Sequence, residues 1–293
     1  MKLLRSATLT VSDIERSADL YTSYLDYSVV ERGTIPQDLA DSWDAPKTAG
    51  ANYVVMQPAS GADIFLRLIE QPKVDGFKAL RSYGWNAIEI CVEDVLAANE
   101  RMKDSPFEII GPPREIDGLP AIHPMQVKGP DEEIVYLTQI KSDLPAFDLP
   151  RAEAAIDKLF ILVMGCSDMR ASNKWMEEHV GVEMGRDMEI VYTMLAAAYD
   201  LPEQDMHVIS TMIHGRDVFL ELDQYPDAAI NRPQLPGMLV PGCAIGTLWH
   251  PDFDSLTGPW ITEPVVREGP IYKGKRAGTM KAPDGTLVEM VES

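Results

Sequence analysis

Between residues 3 and 11 the chain alternates, with Leu3, Ala7, Leu9 and Val11 on one parity and polar residues on most of the other, which predicts a β-strand. Ser12 or Asp13 then caps a helix on which Ile14, Ala18, Tyr21 and Leu25 share one face. Strands are expected near 28–33, 53–57 and 64–69. A second cycle opens with a strand at 86–92, followed by a helix that Glu93 or Asp94 starts and that runs through Met102. Strands at 107–112, 121–128 and 134–140 complete it. The pattern is strand–helix–three strands, twice.

The chain then repeats itself. ADIFLRLIEQP at 62–72 recurs as RDVFLELDQYP at 216–226, and KGPDEEIVYLTQI at 128–140 recurs as KAPDGTLVEMVES at 281–293. Asp13 and Ser17 of SDIERSADLY match Asp168 and Ser172 of SDMRASNKWM. Three separate segments share one offset to within two residues, so the 293 residues read as two homologous halves and four units. Residues 142–155, with Pro145 and Pro150, read as the linker between 1–141 and 156–293.

Charge narrows the partners. With 26 basic and 46 acidic residues the net charge is −20, which repels phosphate backbones and anionic lipid surfaces, so neither nucleic acid nor membrane is expected as a partner. The three cysteines, Cys91, Cys166 and Cys243, form neither a disulfide framework nor a Cys-x-x-Cys site, and this usage fits a reducing, cytoplasmic setting.

Several motifs together resemble the vicinal oxygen chelate family of glyoxalases, extradiol dioxygenases, methylmalonyl-CoA epimerases, and fosfomycin and bleomycin resistance proteins. They are VSDIERSADLY…YLDY at the start, the mid-half strand ending VEDV, and the closing KAPDGTLVEMVE. The family's ending is Asp-Pro-Asp-Gly and a strand closing in Glu-Leu; here Ala282-Pro283-Asp284-Gly285 and Glu289-Met290 stand in those places. The resemblance implies an α+β fold of four βαβββ units paired into two half-open eight-stranded barrels. It makes 1–141 one barrel domain with a degenerate metal site and 156–293 a second with ligand positions partly retained. With two units pairing inside each half, no dimer is needed to complete a pocket, and a monomer or homodimer is expected.

Family ligands lie on the first, fourth, fifth and last strands of a barrel, where imidazole and carboxylate leave positions open for substrate oxygens. In the N-terminal half those positions read Ser6, Arg67, Trp85 or Ala87, and Tyr136. No metal is expected there; either these are plain core residues, or Arg67 pairs with an anionic group of a ligand and Tyr136 offers a hydroxyl. In the C-terminal half they read Ile161 or Phe160, Glu221, Cys243 and Glu289. Glu221 and Glu289 are candidate catalytic residues, as an acid/base pair that needs no metal. Left open beside this are inert inherited carboxylates and a divalent metal held by Glu221, Glu289 and Cys243.

Secondary candidates for substrate contact are His123, in the N-terminal pocket, and His207, near Glu221. Cys243 otherwise reads as a buried inert thiol. Trp249, beside a methionine-rich C-terminal half, suggests a pliable apolar pocket for an aromatic ligand. The leading expectation is an enzyme of isomerase or lyase type acting on a small apolar, aromatic metabolite by proton transfer, with no cofactor. The alternatives are a non-catalytic small-molecule binding protein of the resistance type and a divergent metal-dependent dioxygenase or glyoxalase.

Overall fold

The computed structural model describes residues 2–116 and 118–293. Unit one comprises β1 (Leu4–Val11), α1 (Ile14–Leu25), β2 (Tyr27–Thr34), a short α2 (Gln37–Ser42), β3 (Asn52–Pro58) and β4 (Phe65–Glu70). Unit two is β5 (Gly84–Val92), α3 (Val95–Lys103), β6 (Glu108–Gly111), β7 (Ile122–Lys128) and β8 (Ile134–Ile140). Unit three is β9 (Ile156–Cys166), α4 (Met169–Val180), β10 (Glu183–Val191), α5 (Thr193–Ala198), β11 (Met206–His214) and β12 (Asp217–Gln224). Unit four is β13 (Gly242–His250), β14 (Val265–Arg267), β15 (Lys275–Lys281) and β16 (Leu287–Glu292). Its expected helix is reduced to a single 3₁₀ turn at Phe253–Ser255.

The caps read from sequence are in place. The carboxylates of Asp13, Asp94 and Asp168 accept hydrogen bonds from the backbone N–H groups of Arg16, Leu96 and Ala171. Each answers a donor that the first helical turn leaves without a partner.

Pairing of the units departs from the expectation. The first sheet runs β14-β15-β16-β13-β1-β4-β3-β2 and the second β10-β11-β12-β9-β5-β8-β7-β6. Unit one therefore pairs with unit four, and unit two with unit three. Neither 1–141 nor 156–293 forms a barrel of its own; each barrel is assembled across the two sequence halves. The reason lies in the edge that every unit exposes. Within a unit the fourth strand pairs parallel with the first, as β4 does with β1, and leaves the other side of the first strand open. An open edge must be covered. Antiparallel pairing of β1 with β13 and of β5 with β9 covers all four.

Three apolar clusters result. One joins the helices and the outer faces of both sheets, with Leu9, Tyr21, Ile88, Leu162, Leu220 and Met290 among its members. The other two fill the concave faces. The cup of units one and four holds Ile35, Leu39, Trp43, Ile245 and Tyr272. The cup of units two and three holds Ala87, Tyr136, Ile161, Tyr192 and Ile209, with Phe147 and Leu149 packed against them. Arg232 ties the sheets together, donating to the carbonyls of Trp85 at 2.7 Å and Cys243 at 2.9 Å. Trp85 Nε1 adds a bond to the Leu287 carbonyl at 2.8 Å.

Candidate functional site

The fourth strand of each unit sends one polar side chain into a cup: Arg67 and Glu289 into one, Tyr136 and Glu221 into the other. Under the sequence repeat Arg67 corresponds to Glu221 and Tyr136 to Glu289, so the cups are two versions of one design with different chemistry.

In the cup of units one and four, an ion pair occupies the centre. Arg67 and Glu289 are both buried and meet at 3.2 Å. The guanidinium also donates to Thr8 Oγ1 at 2.9 Å and to the Tyr272 hydroxyl at 2.6 Å. Glu289 accepts from Trp43 Nε1, the Tyr272 hydroxyl and Thr247 Oγ1, each at 2.9 Å. The Trp43 ring lies 4.6 Å from the Arg67 guanidinium carbon. A fixed cation stands where a family metal would sit, and the single carboxylate is already saturated by donors. This donor set does not fit a divalent ion. A space of about 290 Å³ remains beside Arg67 and Tyr272.

The cup of units two and three is open inside. Its cavity measures about 540 Å³, a size suited to a small organic ligand. Phe160, Ile161, Met188, Met194, Ile209 and Val218 form apolar walls, and the polar lining includes Glu89, Tyr136, Tyr192 and Glu221, with Gln126, Arg186 and Thr211 beside them. Thr138 Oγ1 donates to Glu89 at 2.5 Å, the Tyr136 and Tyr192 hydroxyls are hydrogen-bonded to each other, and Tyr192 reaches Glu221 Oε1 at 3.4 Å. Asp223 lies two residues along β12 from Glu221 and so points to the same side, with Oδ1 buried and unpartnered.

Burial dominates the electrostatics. Desolvation, with the charge of Glu221 nearby, pushes the Glu89 carboxyl up to about 8. Desolvation likewise pushes Asp223 up to about 8. Glu221 is raised as well, first by burial and then by the adjacent Asp223 charge. Carboxyls in this range can both donate and accept protons near neutral pH. Two carboxylates and a tyrosine without histidine are a poor match to the family's metal shell. Among the described residues no group of three His, Cys, Asp or Glu is arranged to hold a metal ion.

The sequence candidates separate accordingly. Glu221 and Glu289 lie in different sheets, so they cannot act as one acid/base pair. The set Glu221, Glu289 and Cys243 does not close on one metal, because Glu221 stands in one sheet and the other two in the other. Cys243 is buried, its thiol pushed up to about 12 by desolvation, which makes it inert. Arg67 and Tyr136, read as partners in one pocket, belong to different cups. Trp85 is a buried strut between the sheets. His123 points away from the cavity, since its neighbours Ile122 and Pro124 line it together with Gln126, and His123 instead feels Lys141 and Glu115. Trp249 stacks on Arg5, 4.1 Å from ring centroid to guanidinium carbon. His207 is buried edge-on to the Tyr192 ring with centroids 6.3 Å apart, behind the cavity wall.

Glu89, Asp223 and Tyr192 were not read from the sequence. Glu89 had a signal, being the one charged residue in GWNAIEICV at 84–92; the fifth-strand position had been placed two to four residues earlier. The linker was also more than a joint. Leu144, Pro145, Ala146, Phe147 and Leu149 form a strap along one side of the cavity. Arg216 pins the strap through Asp148 at 2.9 Å and the Pro145 carbonyl at 3.0 Å.

No protein-family model matches the chain, and no curated protein does. Solved structures do. Glyoxalase I from Zea mays superposes with a TM-score of 0.64 at 17% identity, over 100% of this chain and 92% of that one. A mutant crystal form of the same maize enzyme gives 0.65 at 16%, over 99% and 94%. A candidate dioxygenase from Bacillus subtilis gives 0.64 at 12%, over 99% and 84%. With the sequence motifs and the two eight-stranded cups, these likenesses establish that the chain has the four-unit, two-barrel fold of the vicinal oxygen chelate superfamily.

Proposed function

We propose that the protein is an enzyme that moves a proton on a small, largely apolar or aromatic molecule held in the cup of units two and three, with Glu89 and Glu221 as the proton-handling groups and no metal in the reaction. The observation that carries this reading is the placement of two carboxyls of raised proton affinity on the wall of an apolar cavity of about 540 Å³. Such groups exchange protons at neutral pH with little driving-force penalty. Tyr192 links Glu221 to Tyr136 and fixes the orientation of that wall. Isomerisation and lyase chemistry need only such a give-and-take at a carbon acid. The cup of units one and four, closed by the Arg67–Glu289 pair, serves as scaffold.

The test is turnover of a ligand found by thermal-shift screening of apolar and aromatic metabolites, followed in deuterated water. Wild-type protein stripped with a chelator is expected to wash deuterium into the ligand. Glu89→Gln should slow this by about 10²–10⁴-fold, whereas His123→Gln, outside the cup, should leave it unchanged. Loss of turnover on chelation with recovery on adding manganese, nickel or iron would overturn the metal-free reading. A ligand that binds the cup without exchange or conversion would make the protein a binding protein.

A further inference from the structure

Among the described residues no basic group is paired with the acidic wall of this cavity. Glu89, Glu221 and, behind them, Asp223 come from β5 and β12, and the polar groups hydrogen-bonded to them are hydroxyls, Thr138 from β8 on Glu89 and Tyr192 ahead of α5 on Glu221, with Tyr136, Gln126, Thr211 and Arg186 elsewhere on the lining. Two arginines line the cavity, but among the described residues neither forms an ion pair with Glu89, Glu221 or Asp223. Arg186 on β10 is exposed, and Arg114, beyond β6, is bridged to Glu203. Asp223, 1% exposed, has its Oδ1 without a hydrogen-bond partner, while the carboxyl lies within reach of Glu221 and Tyr192. In the other cup the buried acid, Glu289, is neutralised by Arg67. Here, among the described residues, no cation is paired with the acids.

We propose that the missing cation is supplied by the ligand: the cavity takes an apolar or aromatic body carrying one protonated amine, with the ammonium set against Glu89 and the Glu221–Asp223 pair. This rests on the cup of units two and three being the ligand site. An organic cation fits better than a metal ion, because the walls are apolar and aromatic and, among the described residues, no three acids, histidines or cysteines are arranged to hold a metal. Tyr192, Tyr136 and Phe147 put aromatic rings on the lining, where an ammonium or an aryl body can meet them. The protein's net charge of −20 draws cations toward it before contact.

Proton linkage gives the proposal its signature. The buried acids hold their protons in the empty cup, and an ammonium placed beside them favours ionisation, so binding should expel a proton. The other titratable groups near this wall are the Tyr136, Tyr192 and Tyr225 hydroxyls, whose proton affinities burial raises, and His207 on β11, which faces Tyr192 and whose proton affinity burial lowers.

Three probes with one body and different heads separate the outcomes: 4-phenylbutylamine, 4-phenylbutanol and 4-phenylbutyrate, measured by calorimetry on the full chain in buffers of differing ionisation enthalpy. At pH 8 the amine is expected to bind about tenfold tighter than the alcohol, and the carboxylate more weakly than either. At pH 7 the amine should release close to one proton and the alcohol none. Amine affinity should rise by up to about tenfold per pH unit below the titration of the acids, in His207→Gln as in wild type. Glu89→Gln/Glu221→Gln should bring the amine down to the affinity that the variant has for the alcohol, and a wild-type circular dichroism spectrum with a cooperative unfolding transition shows that this variant is folded. Alcohol binding equal to or tighter than amine binding, or a preference for the carboxylate, overturns the cationic ligand and leaves the cup as the ligand site. Failure of all three probes, with no displacement of a ligand found by screening, overturns the cup itself. Tight binding of manganese or nickel alone, abolished in the double variant, assigns the acids to a metal and also overturns the proposal.

Discussion

Arg67 and Glu289 come from opposite ends of the chain and meet at 3.2 Å in the centre of one cup, both almost wholly buried. Their counterparts under the repeat, Glu221 and Tyr136, border a cavity instead. The exchange of an ion pair for an acid and a phenol is what makes one cup a scaffold and the other a site.

The pair yields the first prediction. Removing one partner strands a buried charge, so Arg67→Met should cost about 3–5 kcal/mol in chemical denaturation. Arg67→Met/Glu289→Met should recover most of that loss, because two apolar side chains leave no uncompensated charge. A double variant as unstable as the single one would show that the hydrogen bonds from Thr247, Trp43 and Tyr272 matter more than the pairing.

Glu89 yields a pH dependence. Its folded-state proton affinity, at about 8, lies above the ordinary carboxylate value, so the folded chain holds the proton more tightly than the unfolded chain does. Stability from this group is therefore greatest at low pH and is lost as pH rises from about 4.5 toward 8, with a slope of up to about 1.4 kcal/mol per pH unit. Glu89→Gln should flatten the stability profile between pH 6.5 and 8 relative to wild type. A variant profile parallel to that of wild type would contradict the burial of an ionisable acid there.

The strap yields a third. Phe147 lines the cavity while remaining half-exposed. Phe147→Ala should weaken binding of an aryl ligand by about tenfold, corresponding to lost apolar contact, with little change in the unfolding midpoint. An unchanged affinity would place the strap outside the ligand site.

The crossed pairing of units yields the last. Residues 1–141 expressed alone would lack β13 and β9 as partners for β1 and β5. This fragment is expected not to fold as a monomer, and mixing it with 142–293 should restore cooperative structure by circular dichroism. A fragment 1–141 that unfolds cooperatively as a monomer would show that the units can pair within a half.

Much of the fold was legible in local pattern. Capping aspartates, alternating strands and two copies of one motif specified four units, since these features depend only on residues near one another in the chain. The inward positions on the fourth strands were legible for the same reason: period-2 alternation places Arg67, Tyr136, Glu221 and Glu289 on the concave side wherever their strands end up. Glu89 was within reach as the lone charge of a buried strand.

What the sequence by itself could not determine was which unit meets which. Every unit presents a similar open first strand, so local pattern is equally compatible with pairing inside a half or across halves. The choice is made by long-range contacts: β1 against β13, β5 against β9, Arg232 across both sheets, and Trp85 against Leu287. That choice puts Glu289 beside Arg67 instead of Glu221, leaves Glu221 with Glu89 and Tyr136, and folds the linker over their cavity. Charges acquire chemical meaning from the neighbours that burial gives them, and those neighbours were set only when the four units closed into two cups.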